Sequence, residues 1–396
     1  MKTDIVIVGA GMVGALCALL AAEANFTVAV VHADLPQPLS ADEYQPRVSA
    51  LNPASIALLK KTGVWSLISA KQASPFERLT VWDGVGGSEL IFSAAMMGLT
   101  ELGYMVTNAA VIAAAWACLE AHPLIQCYLN QPLRLERRDA ERQLVLTNGE
   151  CLTTNLLVGA DGANSWVRRF LGSPFAERSY DQSAIIAVIR SEKIHQQSAY
   201  QVFLPTGPLA LLPLSDPYHH ALVWSLDNSA LETRLNSHPE EFTQQLNRAF
   251  GARLGALTVL SERQAYPLIM RHATQYVGDG IALIGDAAHT LHPMAGQGAN
   301  LGFMDADRLI QVISKAREKS PQKSPQKSSD WASQRVLRDY ERVRKAKNTE
   351  MLLAMRSLQR IFSLDDRLSV GLRSWGMRQI NQSGFLKRFF MQEVLK

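Results

Sequence analysis

Four consecutive β-branched apolar residues, Ile5-Val6-Ile7-Val8, predict a strand buried on both faces. Eight strong helix formers without a breaker, Ala15-Leu16-Cys17-Ala18-Leu19-Leu20-Ala21-Ala22, predict a helix. A second apolar strand, Phe26-Thr27-Val28-Ala29-Val30-Val31, follows at βαβ distance. Between the first strand and the helix stand Gly9, Gly11 and Gly14 in G-x-G-x-x-G spacing. Gly9 permits the tight turn, Gly11 lets a pyrophosphate approach the backbone, and Gly14 lets helix and strand pack closely. The free N–H groups of the helix then face the phosphates, so the unit predicts a dinucleotide site. Residues 5–22 carry no charge, which also fits a signal peptide or a membrane span. The glycines in turn register, Asp4 and the second strand argue against both.

Further on, alternation predicts a hairpin over residues 78–92 and an antiparallel ribbon over 133–146, with Asn148-Gly149 as a turn. An Ala-rich helix over 109–121 is too short to span a bilayer. The buried strand at 156–158 runs into Gly159-Ala160-Asp161-Gly162, and a helix opens with Asn164 or Ser165 as its cap. Residues 183–273 change to antiparallel strands followed by two helical segments, a sheet with one face free to meet a ligand. A last buried strand, 280–284, leads through Gly285-Asp286 and a glycine-containing loop to a helix over 303–315. The repeated Ser-Pro-Gln-Lys of residues 320–327 predicts a mobile linker, and the remainder is helical.

At 396 residues the chain has room for more than one domain. Cys17, Cys118, Cys127 and Cys151 lie far apart, without C-x-x-C or a His at zinc spacing. They read as free thiols of a reducing compartment, no metal is expected, and the expected location is cytoplasmic. Charge is uneven. Residues 331–396 hold 14 Lys/Arg against 6 Asp/Glu, a surplus of +8 in a chain of net charge +4, so the first 330 residues sum to −4. This basic, apolar-rich region fits either contact with anionic lipid or an acidic partner, or a solvated helical face.

Several residues are candidates for chemistry. His32 stands at the end of the second strand, where a dinucleotide site usually has an acid reading the ribose. Arg47 enters a helix N-terminal region, as a phosphate or flavin contact or as a surface residue. His289 and His292 follow the last strand, as ring-hydroxyl bases or as structural turn residues. Tyr200, Phe203 and Trp224 are candidates for a substrate face, with core packing as the competing reading.

Taken in order, Gly9-x-Gly11-x-x-Gly14, Gly159-Ala160-Asp161-Gly162 and Gly285-Asp286 resemble the class A flavin-dependent aromatic hydroxylases over nearly the whole chain. Arg47-Val48-Ser49-Ala50, residues 159–165 and residues 285–298 resemble the ubiquinone-biosynthesis hydroxylases within that class. Residues 102–106, 119–123 and 271–277 lean towards the branch that hydroxylates a demethoxy quinol. The resemblance implies an α/β fold: a Rossmann-like FAD-binding domain of the glutathione-reductase and p-hydroxybenzoate-hydroxylase type, an antiparallel-sheet substrate domain, and a helical C-terminal region. The implied boundaries are 1–75 with 100–182 and 274–330 for FAD, 76–99 with 183–273 for substrate, and 331–396 for the basic region.

It also implies roles. Gly9, Gly11 and Gly14 would cradle the FAD pyrophosphate, and Arg47 would contact the flavin side. Asp161, with Gly162, would lie beside FAD and the approach of NAD(P)H, and Asp286 would bond the ribityl or pyrophosphate region. Gly296, Gln297, Gly298, Ala299 and Asn300 would run along the isoalloxazine, Pro293 would wall the oxygen pocket, and His292 is the candidate base. Three positions depart from the pattern: His32 for an acid, Thr107 for Glu, and Ala299 for a larger apolar residue. The implied reaction is hydride transfer to FAD, formation of a flavin C4a-hydroperoxide with O2, and oxygen transfer to the ring of a polyprenylated quinol. A lipid-delivering partner, a multiprotein assembly, a homo-oligomer and peripheral contact with the inner face of the cytoplasmic membrane are consistent with it; no nucleic acid is expected. Two rival readings stand beside it: a hydroxylase of a small soluble phenol, and a non-catalytic scaffold subunit.

Overall fold

The computed structural model describes residues 1–36, 45–138, 141–290, 297–319, 330–385, 387–388 and 391. The opening strand, Lys2–Val8, lies between Val28–His32 and Cys151–Gly159 and runs parallel to both, with Ile7 opposite Val30 and Val158. Ile125–Leu129 extends this sheet at one side and Ile281–Leu283 with Val277–Gly278 at the other. The ribbon predicted near 133–146 is present as Pro132–Arg138 and Glu141–Leu146, added antiparallel to Cys151–Gly159.

Helix α1 (Met12–Glu23) is apolar on every side and buried along Gly14 to Ala22. A helix apolar all round needs a buried setting, and this one lies inside the core. Helix α2 (Pro53–Lys61) is capped by Asn52, whose side chain accepts the Ser55 N–H. Helix α3 (Asn108–Ala121) packs on α1 and buries Ala114, Ala115 and Trp116 in the same core. Helix α4 (Trp166–Leu171) is capped by Ser165, one of the two predicted caps.

Among the described residues the second sheet has nine strands centred on Phe175–Ser191, which pairs with Gln264–Ala273 on one side and His219–Asp227 on the other. The predicted hairpin, Arg78–Asp83 with Glu89–Ser93, adds to its far edge through Ser198–Leu204. Helices α5 (Asn228–Leu235) and α6 (Pro239–Phe250) follow His219–Asp227. In α6 the apolar residues Phe242, Leu246 and Phe250 recur every four positions and are buried against Ile185, Leu209, Leu222 and Trp224. Burying each of those three is worth about 1.5–3 kcal/mol. Strand alternation sends Ile185, Ala187 and Ile189 to that side, and Ala184, Ile186 and Val188 to the other.

Helix α7 (Gln297–Lys319) returns to the first sheet and packs on α1. It begins six residues before the predicted start. Helices α8 (Gln334–Ser363) and α9 (Arg367–Gln382) make the C-terminal region. They are tied to the second sheet by a stacked pair, Phe203 on Phe362 at 3.9 Å, and by a buried ion pair, Arg373 Nε to Asp83 Oδ2 at 2.8 Å. Among the described residues no helix is long and apolar enough to cross a membrane. The Ser-Pro-Gln-Lys repeats of 320–327 lie outside the described residues.

Candidate functional site

The three glycines do different work in the turn before α1. Gly9 has φ +101°, and a Cβ there would stand 2.3 Å from the Ala160 carbonyl oxygen. A Cβ on Gly14 would stand 1.9 Å from the Gly9 carbonyl oxygen. Both glycines are therefore required by the protein's own backbone. Gly11 is the opposite case: a Cβ there would meet nothing within 4 Å, and the residue lines a cleft. That open approach to a helix N-terminus is what a phosphate group needs.

Between Gly9 and Gly11, Ala10 is held by two side chains. Its N–H donates to His32 Nδ1 at 3.1 Å, and its carbonyl accepts from Trp116 Nε1 at 3.0 Å. Because Nδ1 accepts, the neutral ring carries its proton on Nε2. Burial lowers the His32 pKa from the ordinary value, against an opposing pull from Asp34, which favours that neutral ring. His32 thus shapes the glycine turn and presents a donor where an acid would present an acceptor.

The cleft encloses about 440 Å³ and runs from this turn to the second sheet. One wall is built from Gly11, Met12, Ala160, Gly162, Asp286, Gly298 and Ala299. The facing wall is apolar: Ala184, Ile186, Val223, Pro267 and Leu268, with Tyr266 beside them. Register explains this set apart from Pro267, which lies between Tyr266 and Leu268. Ile186 is paired with Val223, and Ala184 with Tyr266, so alternate residues of three strands share one face. Arg47 stands exposed at the cleft with its guanidinium 4.6 Å from the Tyr266 ring centroid. Ser49 Oγ donates to Asn108 Oδ1 at 2.7 Å, and both residues line the cleft.

Asp286 opens to the cleft but is ringed by protein. Burial raises its pKa, while the charges of His289 and Arg47 pull against that rise. Asn300 is buried just behind the wall. Its Oδ1 accepts from the Asn52 N–H at 3.1 Å and Ser55 Oγ at 2.7 Å, and its Nδ2 donates to the Ala50 carbonyl at 2.8 Å. It ties α7 to the segment that carries Arg47.

The structure thus gathers Gly11, Arg47, Gly162, Asp286, Gly298 and Ala299 at one cleft, with Gly9, Gly14, His32 and Asn300 supporting it. Gln297 opens α7. His292, Pro293 and Gly296 lie outside the described residues. Asp161 does not line the cleft: its Oδ2 accepts from the N–H groups of Trp166 at 2.7 Å and Val167 at 3.2 Å, as a second cap on α4. Its Oδ1 is buried without a hydrogen-bond partner among the described residues. His289 is buried in a short strand, paired with His272, and its Nε2 bonds Asp305 Oδ2 at 2.5 Å.

The three aromatic candidates for the substrate face are corrected. Trp224 is paired with Ile185 and packs on Phe242, on the side of the sheet away from the cleft. Tyr200 lies against Phe250 in that same cluster. Phe203 is covered by Phe362 of α8. Sequence reading also missed Ser49, Asn108, Tyr266 and the small residue Ala184. The available signal was alternation, which marks Ala184 and Ile186 as sharing a face but does not say which face meets the cleft.

The cradle fits FAD: an open glycine at a helix N-terminus, a neutral donor beside it, a carboxylate and a guanidinium at the cleft, and an apolar wall for a ring. Residues 2–352 match the family model described as FAD binding domain. The chain is 39% identical over 396 residues to 3-demethoxyubiquinol 3-hydroxylase of Escherichia coli, covering 99% of this chain and 98% of that one. It is 32% identical over 393 residues to ubiquinone hydroxylase UbiL of Rhodospirillum rubrum, covering 99% of this chain and 89% of the relative. Among solved structures, p-nitrophenol 4-monooxygenase PnpA of Pseudomonas putida superposes with a TM-score of 0.78 at 19% identity, covering 99% of this chain and 98% of that chain. This last likeness is one of fold.

Proposed function

Since the chain belongs to the FAD-binding family of monooxygenases, we propose that it uses FAD, NAD(P)H and O2 to hydroxylate the ring of a polyprenylated benzoquinol in ubiquinone biosynthesis. The observation that carries this reading is the two-sided cleft: a glycine turn and helix N-terminus on one side, an apolar sheet face on the other. Bound FAD supplies the redox and oxygen-activating chemistry. The chain supplies the rest. Backbone N–H groups at Gly11 and the start of α1 hold the pyrophosphate, and Asp286 and Arg47 set polar contacts on the cofactor side. Ala184, Ile186, Val223 and Leu268 hold an aromatic ring against that wall and keep water from it. Deleting the gene and reading the quinone pool by mass spectrometry tests the assignment. Accumulation of an intermediate lacking one ring oxygen is expected. An unchanged pool, in a host with no second hydroxylase of this family, would refute the quinone substrate.

An apolar substrate tail needs a route from lipid, and helix α9 of the C-terminal region offers one surface for it. On α9, Leu368, Leu372 and Trp375 recur at i, i+4 and i+7 and are exposed to 80%, 70% and 61%. From Arg367 to Arg388 there are five basic residues and no acidic one. A Leu/Trp stripe flanked by arginines matches an anionic bilayer surface. The triple variant Leu368→Gln, Leu372→Gln, Trp375→Gln should lose co-sedimentation with anionic vesicles. Unchanged sedimentation would remove the membrane from this reading, and loss of self-association instead would assign the stripe to a second copy.

A further inference from the structure

Beneath the cofactor wall lies a buried charged cluster that the proposed reaction does not use. Asp305, on α7, is fully buried and accepts four hydrogen bonds. They come from the Gly285 N–H at 3.1 Å, His289 Nε2 at 2.5 Å, Arg344 Nε at 2.7 Å and Asn348 Nδ2 at 3.4 Å. Arg344, on α8, also donates from Nη2 to the Leu301 carbonyl at 3.2 Å and to Asn348 Oδ1 at 3.1 Å. Burial would raise the Asp305 pKa, but His289 and Arg344 together hold it below the ordinary value, so the carboxylate is charged.

The backbone groups that this cluster grips are neighbours of the cleft. Gly285 immediately precedes Asp286, and Leu301 immediately follows Asn300. Gly285 has φ +57° and packs against Val13, itself a cleft residue. One carboxylate thus fixes the turn that carries Asp286, and the arginine bound to it fixes the start of α7. A buried ion pair contributes little stability beyond what well-packed apolar residues of the same volume supply. In some proteins such a pair instead specifies position.

We propose that Asp305, Arg344 and His289 are positioning residues for the FAD site, so that helix α8 of the C-terminal region is a working part of that site, acting through Gly285–Asp286 and Leu301. The inference rests on the FAD reading of the cleft. Its prediction is a loss of cofactor affinity without loss of fold. FAD titrations followed by flavin fluorescence, apo-protein melting and the absorption spectrum of the bound flavin test it on the full chain. The double variant Asp305→Asn, Arg344→Met removes both charges of the buried ion pair together, so it should melt as apo-protein near the wild type. Its FAD Kd should rise about tenfold, and its bound-flavin spectrum should shift. His289→Leu should weaken FAD by a similar factor, while His289→Gln, which keeps a donor for Asp305, should restore affinity to within about threefold of wild type. Wild-type Kd and spectrum in the double variant would overturn the proposal, as would lowered apo melting with both unchanged, since that marks a purely structural cluster. Wild-type protein that fails to take up FAD would overturn the cofactor reading itself, a result distinct from either.

Discussion

Gly11→Ala separates what the protein needs from what the cofactor needs. Gly11 has φ −68° and ψ −176°, an extended conformation open to any residue, and its Cβ would meet no protein atom within 4 Å. Alanine there reduces the freedom of the unfolded chain, stabilising by about 0.4–1 kcal/mol. It is also a poorer N-cap than glycine, by a comparable amount. The two offset, so apo-protein stability should stay within about 1 kcal/mol of wild type. The methyl, however, projects where a phosphate must approach the start of α1. Displacing the pyrophosphate loses at least two hydrogen bonds to a charged group, at about 1.5 kcal/mol each. FAD affinity should therefore fall about a hundredfold or more. Melting of the apo-protein and flavin fluorescence titration, run side by side, give both numbers. Gly14→Ala is the contrasting control: with a Cβ placed 1.9 Å from the Gly9 carbonyl oxygen, it should lower the melting temperature itself. A Gly11→Ala protein that binds FAD as tightly as wild type would refute the placement of the pyrophosphate.

Other consequences can be measured separately. Burial holds His220 neutral, its pKa lowered to about 3, whereas the unfolded chain protonates near 6.5. Stability is therefore full above pH 6.5 and falls as pH drops, at about 1.4 kcal/mol per unit, until His220 itself protonates; denaturant melts at pH 6.5 and 5 should show a shallower fall in His220→Gln. Asp83→Ala leaves Arg373 buried without its carboxylate and should cost about 3–5 kcal/mol by urea unfolding; adding Arg373→Met should recover most of it. His32→Glu can still accept the Ala10 N–H and adds an anionic acceptor, so FAD should be retained better on dilution, while His32→Leu should release it faster. Equal retention in both would show that His32 does not shape the turn.

What was legible in the sequence is what local backbone demands dictate. Gly9 and Gly14 are forced by contacts with residues on the same βαβ unit or its neighbouring strand, and their spacing shows directly in the chain. The strand that precedes them, the ribbon and the hairpin are written as runs and alternations of apolar residues. The apolar wall of the cleft was not legible, because a strand's alternation divides its residues into two faces without naming either. Trp224, a candidate for the substrate face with core packing as the competing reading, belongs to the α6 side, one residue away from Val223, which does line the cleft. Phe203 is covered by Phe362, a contact that depends on how a distant helix docks. Asp305 sits among Phe303, Ala306 and Leu309 on the buried face of α7, a charged residue in an apolar stripe. That is a readable anomaly, but its partner Arg344 comes from another helix that only the fold brings near.

Hydroxylation of a quinol ring at this cleft, with FAD, can be followed atom by atom. Its most direct test is a single turnover of the purified, FAD-loaded protein with NAD(P)H, isotopically heavy oxygen gas and a short-chain polyprenylated demethoxy benzoquinol, read by mass spectrometry. The expected product carries one heavy oxygen atom on the ring. Oxidation of NAD(P)H with no labelled ring product, across quinols and simple phenols alike, would contradict it.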